Sequence, residues 1–462
     1  MSSRPFHDEY SDEPELQAGD KVAFGKWLTI THPYKNCPNC RRRVLGNPMM
    51  HSGETYVMAC LLCDYTEGLN LPKLKKKVIY LDQFVFDNIV KTLDPKHPKH
   101  SQVIKEPFWK EVFEKLEGPT RAELIVCPDS FFHIDESAPT DYFKSLERIY
   151  EHFSGGVTFL NNAKITEQQV VNYFKNWLIG KDVIPVLDPS QIVIGDLNKW
   201  HDRMKVSISM QPKEEEIKEK LEHKKKGYKF FCEVFRRWQT ETQRKFDDWY
   251  REEIGGFAKG TILAAKNFQE RQTAFLMNYV PGQIIDLNNI LPPPSVDLLK
   301  KLMNEAFIAG ASDQQDCVKK VLDFMQIENL QKIPAIRIQS LIYAALADQA
   351  AHGRKNLPSP GVQADTDMIS GLLPYCDAIF VDKENAALLE DGRVKGKLGV
   401  NTKIFSLRNK EAFLNYLDNI LLKADNDHLR FVQQIYGKDW AKPYLTIIED
   451  MDKYETNNGS DK

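Results

Sequence analysis

Four cysteines and five carboxylates carry the chemistry that this sequence offers. Cys37 and Cys40 form one C-x2-C turn, Cys60 and Cys63 form a second, and nineteen residues lie between them. Each turn brings two thiolates to one side, and two turns complete a closed tetrahedral S4 site of the kind that holds structural zinc. A closed site leaves no open coordination position, so reaction chemistry has to be sought elsewhere. His51 is available as a ligand but is not needed. The acids lie further along the chain. Asp82 ends the apolar run Val78-Ile79-Tyr80-Leu81, and Asp129, His133 and Glu136 follow an apolar run at 124–127. Asp365 and Asp367 open a helical segment, and Asp382 ends the run Ala378-Ile379-Phe380-Val381.

Burying an ionised carboxylate without a partner is costly, so an acid closing a buried strand is exposed, neutralised by a cation or bound to a metal. Ligands of open α/β sheets sit outside the carboxyl ends of the strands. Acids at three separate strand ends are explained less well by chance than one acid alone. An acid cluster without a nearby Cys or His pair suits Mg2+ or Mn2+, which take oxygen ligands, rather than zinc.

The elements that must position these groups are legible from periodicity. The alternating segment 55–59 predicts the strand that returns the second cysteine turn to the first. Helices are predicted at 83–93 and 105–117, strands at 78–81, 124–127 and 378–381, and a further short strand in GGVTFLNN. The region from about 140 to 335 reads as a large, mostly helical insertion. Within it Phe231, Phe235, Trp238, Phe246 and Trp249 recur at three- and four-residue steps with one longer gap, which predicts one stripe of a long helix used for core packing. The three prolines of QIIDLNNILPPP end any regular structure there. Helices through 335–351 then lead into the Pro358-Gly361 loop before Asp365.

Composition sets outer limits. The chain has 462 residues, 42% of them hydrophobic, and a formal net charge of -3. It has room for several domains and exerts no global pull on nucleic acid, so such a partner needs a local basic surface. Arg41-Arg42-Arg43, Lys73 and Lys75-Lys76-Lys77 provide one, either as a phosphate-tracking face or as solvated charge. Cys127, Cys232, Cys317 and Cys376 are scattered in apolar sequence, a pattern of a reducing compartment. No apolar run approaches a membrane span and the acidic N-terminus is unlike a signal peptide, so a soluble cytoplasmic protein is expected. The expected organisation is a disordered 1–20, a zinc ribbon over 21–73, an α/β domain over 74–450 and a disordered tail over 451–462.

YLDQF, CPDSFFHIDES, ADTDM and AIFVDKEN together resemble the PIN-like superfamily of metal-dependent nucleases, over roughly 78–136 and 336–407. The resemblance implies a Rossmann-like parallel sheet flanked by helices, with four acids at its carboxyl ends holding one or two Mg2+ or Mn2+ ions. Carried over, the first acid is Asp82, the second Glu136, the third Asp365 or Asp367, and the last Asp382. It further implies phosphodiester hydrolysis by an endonuclease, with RNA favoured over DNA and the ribbon assisting. Arg41, Arg42, Arg43, Lys75, Lys76 and Lys77 are the expected nucleic-acid contacts. His133 shares the face of Glu136 and is either a phosphate contact or a buried structural histidine. The departure from the family is size, since some two hundred residues separate the second acid from the third. The alternative is a non-catalytic scaffold of the same fold that binds nucleic acid or protein; a protein partner or a second copy of the chain fits either reading.

Overall fold

A computed structural model describes residues 35–52, 55–184, 187–200, 214–278 and 291–436. The segments expected to be disordered, 1–20 and 451–462, and the first residues of the expected ribbon lie outside the described residues.

The N-terminal unit is an antiparallel sheet of β1 (Lys35–Asn36), β2 (Arg43–Ser52), β3 (Thr55–Cys60) and β4 (Thr66–Asn70), paired in that order. Leu45 faces Cys60 across the β2–β3 pair, which brings the second cysteine turn to the first. Its small core of Leu45, Met58, Leu71 and Leu74 is completed by Trp200 and Val432 from elsewhere in the chain. The Trp200 indole also donates to the Pro72 carbonyl at 2.9 Å. The ribbon is therefore docked on the larger unit, with which it shares a hydrophobic core.

The larger unit is built on β5 (Lys77–Leu81), β6 (Ile125–Val126), β7 (Asp129–Ser130), β8 (Thr158–Phe159), β9 (Val193–Ile194), β10 (Ala378–Phe380) and β11 (Lys403–Phe405). The order β11-β10-β5-β6 is parallel throughout. Only Cys127 and Pro128 separate β6 from β7, which runs parallel to β8, and β9 adds an antiparallel edge. The run Val78-Ile79-Tyr80-Leu81 is apolar throughout because both faces are covered, as in parallel sheets generally. Val78 and Tyr80 point into a core shared with the central helices; Ile79 and Leu81 point into a second core under the helices Gln83–Leu93, Phe108–Arg121, Phe143–Ser154 and Lys410–Leu422. The α/β class and the parallel sheet expected from sequence are thus present.

Two local expectations are corrected. The aromatic stripe lies on two helices, Glu214–Thr240 and Phe246–Asn278, and the longer gap in its spacing is the turn between them. The five rings are nonetheless buried, and Trp238 meets Trp249 across the turn with centroids 6.2 Å apart. Lys76, expected on a basic face, is instead paired with Glu123 at 2.6 Å, and both side chains are almost fully enclosed. A second bond from Lys76 Nζ to the Lys199 carbonyl at 2.6 Å completes its shell. A buried ammonium requires such partners, so sequence position in a Lys run does not imply exposure.

Among the described residues no helix is long and apolar enough to cross a membrane.

Candidate functional site

The four cysteines form one compact donor set, with all sulfurs within 4.8 Å of one another. Cys37 and Cys63, and Cys40 and Cys60, stand 3.6 Å apart. A disulfide would require about 2.05 Å. A tetrahedron with metal–sulfur bonds of about 2.3 Å has edges of about 3.8 Å, so the set fits a thiolate-bound ion. The Leu62 amide lies 3.4 Å from Cys60 Sγ, a bond that stabilises thiolate charge. Arg41 takes up a left-handed φ of 60° to close the first turn. Arg41 and Arg42 are exposed there, and the side chains of Arg43 and His51 lie outside the described residues. The four sulfurs form the set without a histidine.

The carboxylates come together at the opposite end of β5 from its lysines. The chain leaves β5 toward β6 on one side, whereas β10 and β11 lie on the other, so the order of strands reverses beside β5. At such a point the flanking loops diverge and leave a crevice outside the carboxyl ends. Asp82 follows β5 and Asp382 follows β10, and these strands are neighbours. Glu136 comes from the helix Phe131–Ser137 after β7, and Asp365 from the first turn of the helix Val362–Leu372. Asp82 is only 9% exposed. Its carboxyl is held well above the usual carboxylate range, first by burial and then by repulsion from Asp365, Glu136 and Asp382. Asp365 is pushed up to about 7 by burial, with Asp382 and Glu136 adding to it. Burial also raises Glu136, against the pull of Lys224 from the helix Glu214–Thr240, and raises Asp382.

These are looser than the cysteine set, since no three of the acids bring ligand atoms within 4.8 Å of one another among the described residues. Two of them have a visible local role. Asp82 accepts from the Phe84 amide at 3.4 Å and Asp382 from the Asn385 amide at 2.6 Å, each capping a helix. The Asn385 side-chain amide also donates to Asp365 Oδ2 at 3.0 Å, so one residue, through its backbone and its side chain, ties two acids together. Its own Oδ1 is buried without a partner among the described residues. An all-oxygen set of separated carboxylates plus a bare amide oxygen fits a hard divalent cation that keeps several waters.

Other expected residues fall elsewhere. Asp367 accepts from Gln339 and is raised to about 6 by burial, with none of the clustered acids acting on it. Of the two candidates for the third acid, Asp365 is therefore the one in the cluster. His133 is fully buried, shares a bond of 2.8 Å with the Leu81 carbonyl and one of 3.2 Å with Ser130, and stacks on Tyr80. Burial holds it down at about 4. It is a neutral tie between its helix and β5, and the expected phosphate contact is corrected. Lys75 and Lys77 sit at the amino end of β5, about 13 Å of strand away from Leu81, and Lys77 pairs with Asp377 at 3.0 Å.

Sequence reasoning missed three features. Asn385 is one, although its place three residues after a capping Asp is a signal for it. Tyr80 is another, a buried phenol raised by burial and by the field of Asp82, Glu136 and Asp365. The third is a groove of about 790 Å³ that begins at Lys383, next to Asp382, and is lined by Arg354, Lys355 and Arg408. Arg354 is paired with Glu384, whereas Lys355, Lys383 and Arg408 are exposed.

The carboxyls bind protons more readily folded than unfolded, so stability present at low pH is lost as pH rises from the usual carboxylate range through about 7. Thermal melts without added divalent metal are expected to show the midpoint falling between about pH 5 and about pH 8. Asp365→Asn should flatten that slope; an unchanged slope would place the proton uptake elsewhere.

No family model, curated protein or solved structure matches this chain.

Proposed function

We propose that the protein is a divalent-metal-dependent nuclease of PIN-like type, acting on RNA, with a structural zinc in its N-terminal ribbon. The observation that carries this reading is the convergence of Asp82, Glu136, Asp365 and Asp382, from four separate segments, on the carboxyl edge of the sheet where its strand order reverses. Asp82 and Asp382 would hold Mg2+ or Mn2+, with Glu136 and Asp365 completing the site. A cation held there would supply Lewis-acid stabilisation of charge on the phosphate and a more acidic attacking water. The chain's own contribution is positional. Asn385 fixes Asp365 against Asp382, and His133 fixes the Glu136 helix to β5. Lys355, Lys383 and Arg408 supply the cations that a phosphate backbone needs beside the acids. The zinc assignment rests on the S4 donor set, whose sulfur–sulfur distances suit zinc.

The second reading is a scaffold in which Asp82 and Asp382 serve only as helix caps, and their bonds to Phe84 and Asn385 favour it. Cleavage of labelled single- and double-stranded RNA and DNA, with Mn2+, with Mg2+ and without added metal, separates the two. Metal-dependent cleavage of RNA is expected. Binding without cleavage under every condition would leave the scaffold.

A further inference from the structure

A cavity of about 1110 Å³ lies at the amino edge of the sheet, away from the acids. It is bounded by the starts of β5, β10 and β11, the first turn of the helix Pro334–Ala351 and the end of the helix Lys410–Leu422. Six cationic side chains line it, against the two carboxylates Asp377 and Asp425. Lys77 is paired with Asp377 and Lys332 with Asp182. Lys75, Lys403 and Lys423 are exposed and have no carboxylate partner among the described residues, and Lys403 stands 4.6 Å over the Tyr416 ring.

Arg337 is the distinctive member. Its guanidinium is largely enclosed and donates to the carbonyls of Lys332 and Leu398, each at 3.1 Å, while Nε is buried without a partner. Burial lowers its proton affinity, and among the described residues no carboxylate pairs with it. An enclosed guanidinium without a carboxylate is costly, and a planar fork of donors suits phosphate. Gly399 makes room for it. That residue has a φ of 65°, and a Cβ there would stand 3.0 Å from Arg337 Nη2.

We propose that this cavity binds a small, multiply phosphorylated anion. The volume lies just above the usual range of ligand pockets, roughly 300–1,000 Å³. The cations gathered from four elements supply the counter-charge, and Tyr375, Tyr416 and Pro374 give an apolar wall beside them. The site is independent of the acid cluster, and its test does not depend on nuclease activity.

Calorimetric titration of the full-length protein with tripolyphosphate, without added divalent metal, is expected to show saturable binding of about one anion per chain. Lys403→Gln with Lys423→Gln, both on the surface, should weaken it roughly tenfold or more. Arg337→Gln should abolish it in a protein that still melts cooperatively. Lys355→Gln with Arg408→Gln, in the groove beside the acids, should leave it unchanged. Tighter binding of ATP than of tripolyphosphate would assign the apolar wall to a base, and equal binding would assign recognition to the phosphates; both support the site. Absence of saturable binding, affinity indifferent to the Lys403 and Lys423 changes, or binding of a short RNA there without binding of tripolyphosphate would each overturn it.

Discussion

Asp82→Asn is expected to lose cleavage by a factor of about 10²–10³ or more, while the same protein, without added metal, melts at a higher temperature than the parent. Both effects come from one charge. Asp82 is buried among three other carboxyls that repel it, and on the proposed function a bound cation would offset that repulsion. Asn retains the bond to the Phe84 amide, because an amide oxygen caps a helix as well as a carboxylate does. Its substitution therefore removes the repulsion without removing the cap, a gain on the order of 1 kcal/mol. The added stabilisation by Mn2+ should shrink in parallel. Asp382→Asn, on the neighbouring strand end, should behave alike, although it is less enclosed. A cap-only role predicts near-normal activity in both variants, and that result would end the nuclease reading. Asp367→Asn is the internal control, since that residue lies outside the cluster and should keep most of its activity.

Cys60→Ser is expected to release the metal of the ribbon and to unfold that unit. Elemental analysis of the parent protein should find about one zinc per chain, and the variant close to none. Binding of this kind is worth on the order of 10 kcal/mol in small zinc modules at neutral pH, far more than the few apolar side chains of the ribbon supply. The larger unit has its own cores on both faces of its sheet and should stay folded. It should nonetheless register the loss, because Trp200 and Val432 pack into the ribbon. Hydrogen exchange is the discriminating measurement. Rapid exchange confined to 35–74, with a shift in Trp200 fluorescence, is the expected pattern. Retained zinc would remove the S4 assignment, and loss of all cooperative unfolding would show that the ribbon is integral to the larger core.

The sequence by itself determined the parts of this protein that local spacing controls. The two C-x2-C turns marked the four-cysteine donor set that could hold a metal ion, because two residues between thiols define a turn whatever surrounds it. The apolar run before Asp82 marked a strand covered on both faces, and Asp82 and Asp382 were legible as strand-ending acids for the same reason. Choosing Asp365 over Asp367 was beyond it. Both open the same helix, and only the packing of that helix against Asn385 on one side and Gln339 on the other separates them. Charge runs were the least legible signal. Lys75, Lys76 and Lys77 are adjacent in sequence, yet Lys76 is buried against Glu123 while its neighbours line a cavity at the far edge from the acids. Long charged side chains reach their partners through space, across 47 residues for Lys76 and 300 for Lys77, so their fate is decided by tertiary structure. The same holds for the meeting of the acids, because Asp82 and Asp382 become neighbours only when β10 pairs with β5.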